Sequence, residues 1–306
     1  MESSITKKQE HNQTENQTKE RTLWQEAWRR FKKNKAAMAG IVFLLILAIL
    51  AVATVAIDIG TSGKVYDNYV IKQNMRSRLE APSLKHPFGL DEFGRDMLLR
   101  MIWGIRYSLF LGVVAISSSV VVGGFLGAIA GYYNKVDNII MRFMDILLAI
   151  PSTLLAIAIV ASLGPSIINL LIAICVSYIP TFARIVRASV MTIKDQEFIE
   201  AAKAVGASNT RIIFKYIIPN SLAPIIVQAT LGVAGAILSI AGLSFLGLGI
   251  EPPLPEWGAM LSNARTYIRD SWHITTIPGM GIMLTILALN LVGDGLRDAL
   301  DPRLKN

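Results

Sequence analysis

Residues 200–206 read Glu200-Ala201-Ala202-Lys203-Ala204-Val205-Gly206, and the chain continues to Tyr216-Ile217-Ile218-Pro219. This stretch is a polar island between long apolar runs. A membrane-spanning helix needs about 20 consecutive, predominantly apolar residues, which the neighbouring runs supply and the island does not. The stretch therefore predicts a loop between two membrane spans, with the character of a docking element.

The composition of the chain also indicates a membrane protein. Of its 306 residues, 53% are hydrophobic and only 17% are charged. Several apolar segments reach spanning length, which the core of a soluble domain does not require. The formal net charge of +8 is explained by basic residues that flank membrane spans and contact anionic lipid headgroups. No nucleic-acid partner is expected, because no basic face with interleaved aromatic residues occurs on a soluble domain.

Six apolar segments divide the chain into spans and connections. They are residues 36–57, 106–131, 143–163, 166–183, 222–247 and 276–296. We therefore predict an all-α integral membrane protein with six transmembrane helices and with both termini in the cytoplasm. Basic residues concentrate in the segments assigned to the inside, as the positive-inside rule requires. Arg95, Arg100 and Arg106 disagree, because they fall in or next to residues 58–104, a segment that alternation places outside.

Residues 1–35 precede the first span and are predicted to form a cytoplasmic tail. Residues 1–20 are polar, which predicts disorder. Farther on, apolar residues recur at helical spacing opposite basic ones, which predicts an amphipathic helix on the inner membrane surface. The apolar positions are Leu23, Trp24, Ala27, Trp28 and Phe31. The alternative is a plain, positively charged flank of the first span.

The polar island is predicted to form two short helices. Asp195 can cap the first, and Gly206 can end it, since glycine adopts the left-handed conformation that closes a helix. Ser208 or Asn209 can cap the second, which is expected to stop at Pro219.

The first of these helices carries the residues that we expect to bind a partner. Phe198 offers an apolar anchor and Glu200 a charge for a basic residue of the partner. Ala201 and Ala202 are small, so this side of the helix can sink into a groove.

Glycines and an isolated acid mark the spans. Gly123, Gly127 and Gly131 lie four residues apart, a spacing that lets two helix backbones approach closely. That face can pack within one subunit or against a second one, and both alternatives are open. Asp145 is expected to form an ion pair with Arg142 at the inner boundary of the third span.

No catalytic, cofactor-binding or metal site is predicted. The sequence lacks a G-x-x-x-x-G-K-[ST] phosphate loop, a G-x-S-x-G elbow and an H-E-x-x-H motif. Its single cysteine, Cys175, can form neither an intrachain disulfide nor a thiolate cluster. The spans also lack the relay of buried acids and histidines that a proton-driven carrier uses. The chain is therefore not expected to be an enzyme, and its energy is expected to come from another subunit.

The polar island resembles the EAA-x3-G-x9-I-x-L-P loop of permease subunits in binding-protein-dependent ABC importers. Tyr216 and Ile218 depart from the pattern, standing where isoleucine and leucine are usual, but both are bulky. The resemblance implies that the loop, residues 194–219, docks onto a separate ATPase. Its implied coupling residues are Phe198, Glu200, Ala201, Ala202, Gly206 and Pro219.

Three further segments resemble the C-type permease of dipeptide and oligopeptide importers. They are residues 86–96, residues 242–258 and residues 293–302, which include the run Gly293-Asp294-Gly295. The likeness extends from about residue 23 to the end of the chain. It implies a MetI-like, type I ABC importer core in residues 105–300, preceded by an extra N-terminal helix.

This resemblance also implies a function and a set of partners. The chain would be a permease subunit in the bacterial cytoplasmic membrane that imports di- or oligopeptides, with a nickel or nickel-chelate importer as the alternative. Its partners would be a homologous B-type permease, an extracytoplasmic substrate-binding protein and two ABC ATPases that bind ATP and Mg²⁺. An ion-coupled carrier would need intramembrane charges and inverted repeats, which the sequence lacks. A membrane scaffold without transport is the other alternative, and the loop argues against it.

Overall fold

The structure, a computed structural model, describes residues 23–301 of the chain. Within that range regular structure is helical, apart from one isolated bridge between Leu90 and Asp96. The predicted disorder of residues 1–20 lies outside the described residues. The principal helices are α1 (Leu23–Lys33), α2 (Lys35–Gly60), α3 (Met97–Tyr132), α4 (Asn134–Leu148), α5 (Ser152–Leu163), α6 (Ile167–Ile193), α7 (Glu197–Ala204), α8 (Asn209–Phe245), α9 (Trp257–Ala264) and α10 (Trp272–Leu300).

The all-α membrane fold is confirmed. Five of these helices, namely α2, α3, α6, α8 and α10, are long and apolar enough to cross a membrane. The pair α4 and α5 passes the same test only when taken together, which gives a sixth candidate span. The third predicted span, residues 143–163, is therefore not one straight helix. Its two parts meet at an angle of 84°, next to Pro151, which cannot donate a backbone hydrogen bond.

The helix α3 is longer than the sequence pattern predicts. The span was expected at residues 106–131, but one helix of 36 residues covers it and the last residues of the segment assigned to the outside. It begins at Asp96, whose side chain accepts a hydrogen bond from the backbone N–H of Leu99. The boundary drawn between residues 104 and 105 therefore falls inside a helix. At 1.5 Å per residue, α3 is about 54 Å long.

The helix α8 also exceeds its predicted length. It was expected to stop at Pro219 and to resume as a span at residue 222, but it continues through Pro219 and Pro224 to Phe245. A wide, π-helical segment, Ile212–Ile217, precedes Pro219. Proline is tolerated at the first turn of a helix, and the change from π to α pitch places Pro219 at such a turn. The side-chain amide of Asn220 donates to the carbonyl of Tyr216 at 2.6 Å.

The glycine face of α3 packs within the chain. A Cβ atom at Gly123 would lie 2.5 Å from the carbonyl oxygen of Ile179, and one at Gly127 would lie 2.2 Å from that of Ala183. Gly131 similarly faces the carbonyl of Arg187 on the same helix, α6. The spacing of four thus lets the backbones of α3 and α6 touch, and of the two alternatives the contact inside one subunit is the one observed.

The amphipathic helix is present, and part of its apolar face packs inside the protein. Ala27 and Phe31 of α1 are buried against Ala37, Val292 and Ala299, which belong to α2 and α10. These contacts do not test whether the helix lies on the membrane surface, which stays a prediction. The remaining aromatic residue of this stretch whose side chain is described, Trp28, is exposed beside Lys32.

The two ends of the bundle are distinct. At one end, the Nζ atom of Lys194, which follows α6, donates to the carbonyl of Gly131 at the end of α3 at 2.9 Å. The end of α10 and the start of α2 meet α1 at this end. At the other end, His273 at the start of α10 lies 3.2 Å from the carbonyl oxygen of Leu90, before α3. The loop between α6 and α8 and the connection between α2 and α3 therefore lie at opposite ends.

Candidate coupling site and the opposite connection

The short helix α7 is the element predicted to dock onto a partner, and its ends are defined by the backbone. Asp195 was expected to cap it, but the cap position is Gln196, whose side chain makes no capping bond. At the other end Gly206 has φ of +81°, as expected for the residue that closes a helix. The N–H groups of Gly206 and Ala207 donate to the carbonyls of Lys203 and Ala202 at 2.9 and 3.0 Å. This is the paired bonding of a Schellman motif.

After this turn the chain enters α8 through a side-chain cap. Ser208 accepts a hydrogen bond from the backbone N–H of Arg211 at 3.4 Å, so the cap predicted at Ser208 or Asn209 is Ser208. Asn209 instead accepts a hydrogen bond from the hydroxyl of Tyr132 at 2.7 Å. The start of α8 is thereby attached to the end of α3.

One face of α7 is anchored in the body of the protein. Ile199 is fully buried, and Ala202 is only 7% exposed. Ile199 belongs to a core cluster with Val190 of α6 and Ile212 of α8. Because this cluster joins both helices, a displacement of α7 acts on α6 and α8 through packed side chains.

The other face of α7 is open. Phe198 is exposed, as are Glu200 and Ala201, and Glu200 makes no ion pair within residues 23–301. Val205 is 86% exposed, and Phe214 on the first turns of α8 is exposed as well. Apolar and acidic groups that the chain leaves uncovered next to one another form a surface suited to a protein partner.

The predicted site residues therefore divide into two groups. The exposed group comprises Phe198, Glu200, Ala201, Gly206 and Pro219. Ala202 differs, because its side chain turns toward the core of its own chain and does not reach the open face. Sequence reasoning missed Val205 and Phe214, although both are large apolar residues within a polar island, which is the signal that could have identified them.

Ion pairs hold the helices that surround this site. The guanidinium of Arg187 on α6 binds both carboxylate oxygens of Asp137 on α4, an arrangement that fixes direction as well as distance. Asp145 pairs with Arg184 at 2.9 Å and not with Arg142, the neighbour expected from helical spacing. The partner lies on another helix, which a pattern of spacing within one helix cannot reveal.

The opposite end carries a buried cluster of charges in the connection between α2 and α3, residues 61–96. Asp91 and Arg95 pair at 2.6 Å, and Arg100 lies 3.3 Å from the same carboxylate. All three side chains are almost fully buried. Glu92 accepts a longer bond from Arg95 at 3.3 Å, and burial, reinforced by the charge of Asp91, raises the pKa of the Glu92 carboxyl.

Asp58 near the end of α2 extends this arrangement. It forms an ion pair with Arg106 and accepts a hydrogen bond from the indole of Trp103 at 3.1 Å. The pKa of Tyr66 is raised to about 12, mainly by burial and secondly by the neighbouring hydroxyl of Tyr107. Its phenol therefore stays neutral. Arg95, Arg100 and Arg106, the basic residues that disagreed with the positive-inside rule, are therefore all neutralised by acids of this connection or of α2.

Within the described part of the chain, no group of three histidine, cysteine or acidic side chains could hold a metal ion. The buried acids and bases of the connection are paired with one another. The open face of α7 offers apolar and acidic side chains for contact with another protein.

Family comparisons match both the segment that carries α7 and the N-terminal helices. Residues 119–306 match the family described as binding-protein-dependent transport system inner membrane component, and residues 22–76 match the N-terminal TM domain of oligopeptide transport permease C. The first match includes α7, and the second includes α1 and α2.

Several bacterial proteins resemble the chain over almost its whole length. The dipeptide transport system permease protein DppC of Alkalihalophilus pseudofirmus is 49% identical, covering 92% of this chain and 91% of that protein. The di/tripeptide transport system permease protein DppC of Pseudomonas aeruginosa is 44% identical, covering 92% of each. The glutathione transport system permease protein GsiD of Escherichia coli is also 44% identical, covering 93% of this chain and 92% of that protein.

A solved structure shares the fold. It is a chain of the MetNI methionine ABC transporter in an inward facing conformation, with a TM-score of 0.56 and 18% sequence identity. The likeness covers 67% of this chain and 98% of that one. The MetI-like core that the sequence motifs implied is thus present in the structure.

Proposed function

The chain belongs to the binding-protein-dependent transport system inner membrane components, the permease subunits of ABC importers, and on that basis we propose that it imports short peptides. The relatives named for dipeptides and for di- and tripeptides are 49% and 44% identical to it over nine-tenths of its length. Glutathione, for which a third relative is named, is itself a tripeptide. The nickel alternative finds no support among these relatives.

The orientation in the membrane follows from charge. The end of the bundle that carries α7 exposes more unpaired basic residues, among them Lys33, Lys135 and Lys203, than the opposite connection does. There the exposed ones are Lys64, Lys72, Arg76, Arg78 and Lys85, and the buried ones are paired. Basic residues near span ends favour the cytoplasmic side. We place α7 and both described ends of the chain in the cytoplasm of a bacterium, and residues 61–96 outside.

The open face of α7 is the site through which transport is driven. A separate ATPase subunit, which binds ATP and Mg²⁺, would bind Phe198 and Val205 as apolar anchors and meet Glu200 with a basic residue. ATP hydrolysis is assigned to this partner. The complete importer would contain two such ATPases, a homologous B-type permease and an extracytoplasmic substrate-binding protein.

The mechanism is a two-state, alternating-access cycle. The ATPase can shift the equilibrium between inward-open and outward-open states only if it binds α7 differently in the two states. Movement of α7 reaches α6 and α8 through the cluster around Ile199, and it reaches α3 through Lys194 and Tyr132. These contacts give the short helix a mechanical connection to three spans.

The decisive experiment measures ATP-dependent uptake of a labelled dipeptide and a labelled tripeptide by proteoliposomes that contain the purified complex. Ala201→Trp should abolish uptake, because it places a large side chain on the open face. Ala53→Trp is the matched control, since Ala53 is an exposed alanine on the apolar surface of α2. Normal uptake by Ala201→Trp would contradict the proposed role of α7, and failure of the wild-type complex to import either peptide would contradict the substrate class.

A further inference from the structure

The connection between α2 and α3 exposes an excess of positive charge. Residues 58–96 contain equal numbers of acidic and basic side chains, six of each. Four of the acids are used internally, because Asp58, Asp91, Glu92 and Asp96 are paired with arginine or histidine side chains. The basic residues that remain exposed and unpaired form what we call the basic patch, namely Lys64, Lys72, Arg76, Arg78 and Lys85. Only Asp67 and Glu80 oppose them among the exposed residues of this segment.

Large apolar side chains stand among these charges. Leu84 is fully exposed between Pro82 and Lys85, and Tyr69 and Met75 are more than half exposed. Aromatic residues and methionine are enriched in protein interfaces, where apolar anchors are surrounded by polar residues. An excess of positive charge around apolar anchors suits a docking surface for an acidic partner.

The segment that carries the patch is held in one conformation. The N–H of Leu79 donates to the carbonyl of Asp91 at 3.0 Å, and the N–H of Leu90 donates to that of Glu80 at the same distance. The N–H of Asn74 binds the carbonyl of Phe93, and a Cβ atom at Gly94 would lie only 1.9 Å from the carbonyl oxygen of Asn74. Because these bonds already order its backbone, the segment itself would lose little conformational entropy when a partner binds.

We propose that the basic patch, with Tyr69, Met75 and Leu84, is a docking surface for an acidic face of the substrate-binding protein that delivers peptide to this importer. The inference rests on the proposed function and adds the site and the charge of the contact. Electrostatic complementarity of this kind accelerates association and selects the orientation of the partner. An anionic membrane surface is the rival occupant, and the lipid composition used in the test distinguishes it from the binding protein.

The test uses the complete complex in nanodiscs. Its binding protein, identified because it co-purifies with the complex, is then purified separately and added back. A Lys72→Glu/Arg76→Glu/Lys85→Glu variant should weaken docking by about tenfold or more at low salt, and the wild-type affinity should fall with added salt. The neutral Lys72→Gln/Arg76→Gln/Lys85→Gln variant should have an intermediate effect. The Asp67→Lys/Glu80→Lys variant, which adds positive charge to the same segment, should keep or strengthen docking.

The controls separate this inference from the proposed function and from a role in lipid binding. Recovery of the wild-type complex with ATPases and a binding protein tests the proposed function by itself, and the variants are compared with that complex. The nanodiscs are prepared with phosphatidylcholine alone and with added phosphatidylglycerol. Equal docking by the reversed and wild-type complexes would overturn the inference. It would also be overturned by a loss confined to phosphatidylglycerol nanodiscs, or by equal weakening in the Asp67→Lys/Glu80→Lys variant.

Discussion

Asp91 and Arg95 form an ion pair at 2.6 Å in which both side chains are almost fully buried. The same carboxylate accepts hydrogen bonds from the backbone N–H groups of Phe93 and Arg95 at 2.9 Å. Burying a charge is costly unless its partners satisfy it. Here two backbone donors and the guanidinium of Arg95 do so, and Arg100 lies in ionic contact at 3.3 Å. This carboxylate is the centre of the connection between α2 and α3.

Asp91→Asn should lower the stability of the protein strongly. The change leaves Arg100 buried without the carboxylate of Asp91 and Arg95 with only its longer contact to Glu92. Loss of one partner of a buried ion pair costs about 3–5 kcal/mol. The apparent Tm in detergent should fall well below that of the wild type. Glu92→Gln is the matched variant, because its amide oxygen can still accept from Arg95, and its Tm should stay close to the wild-type value. An equal fall in Tm in the two variants would show that the buried Asp91 carboxylate contributes no more to stability than Glu92 does.

The raised pKa of Glu92 predicts a dependence on pH. A carboxyl whose pKa is higher in the folded than in the unfolded state binds more protons when folded. Its contribution to stability is therefore complete below the unfolded value, near 4.5, and is lost as the pH rises through the folded value. The wild type should consequently gain Tm relative to Glu92→Gln when the pH is lowered from 8 to 5. A Tm difference that is constant over this range, or that changes in the other direction, would contradict the assignment.

Gly127→Ala should disrupt the contact between α3 and α6. Its Cβ atom would lie 2.2 Å from the carbonyl oxygen of Ala183, so the helices would have to separate, at a cost of about 1–3 kcal/mol. Gly124→Ala is the control on the adjacent position, where the nearest atom is the Cγ2 of Val186 at 3.8 Å. Thermal unfolding of the two variants measures the difference, and a Gly127→Ala protein as stable as Gly124→Ala would show that the backbones do not touch.

Substitutions at Gly206 should weaken coupling more, the less readily the new residue adopts a positive φ. Space is not limiting, since a Cβ atom added at this position would meet no other atom within 4 Å. The cost is therefore that of the backbone, about 1–2 kcal/mol for a residue with a side chain and less for asparagine. Uptake per ATP hydrolysed should decrease from wild type through Gly206→Asn to Gly206→Val. If the asparagine and valine variants couple equally well, the conformation of this turn has no part in transport.

Several features of the fold could be predicted from local patterns. The spans follow from runs of apolar residues, the turn at Gly206 from the conformational freedom of glycine, and the cap at Ser208 from its hydroxyl. The α3–α6 contact was accessible only in part, because spacing identifies a face that packs closely but not the helix that it meets. The same limit explains why Asp145 was assigned to Arg142 and not to Arg184.

Other features depend on the tertiary structure and left no local signal. The passage of α8 through Pro219 requires a preceding π-helical segment, and a proline in the sequence predicts a stop. The burial of Ala202 depends on which side of α7 meets Ile212, which a helix of eight residues does not reveal. The acids that neutralise Arg95, Arg100 and Arg106 include Asp58, which lies 48 residues before Arg106.

The central claim, that the ATPase binds α7, is tested most directly by site-specific photo-cross-linking. In a Cys175→Ser background, which removes the single native cysteine, Val205→Cys and Leu84→Cys each receive a benzophenone maleimide in the assembled complex. Both positions are highly exposed, and they lie at opposite ends of the bundle. Irradiation should link the ATPase subunit to position 205 and not to position 84, as identified by mass spectrometry. Adducts of the ATPase at position 84, or none at position 205 in a complex that still imports peptide, would contradict the account.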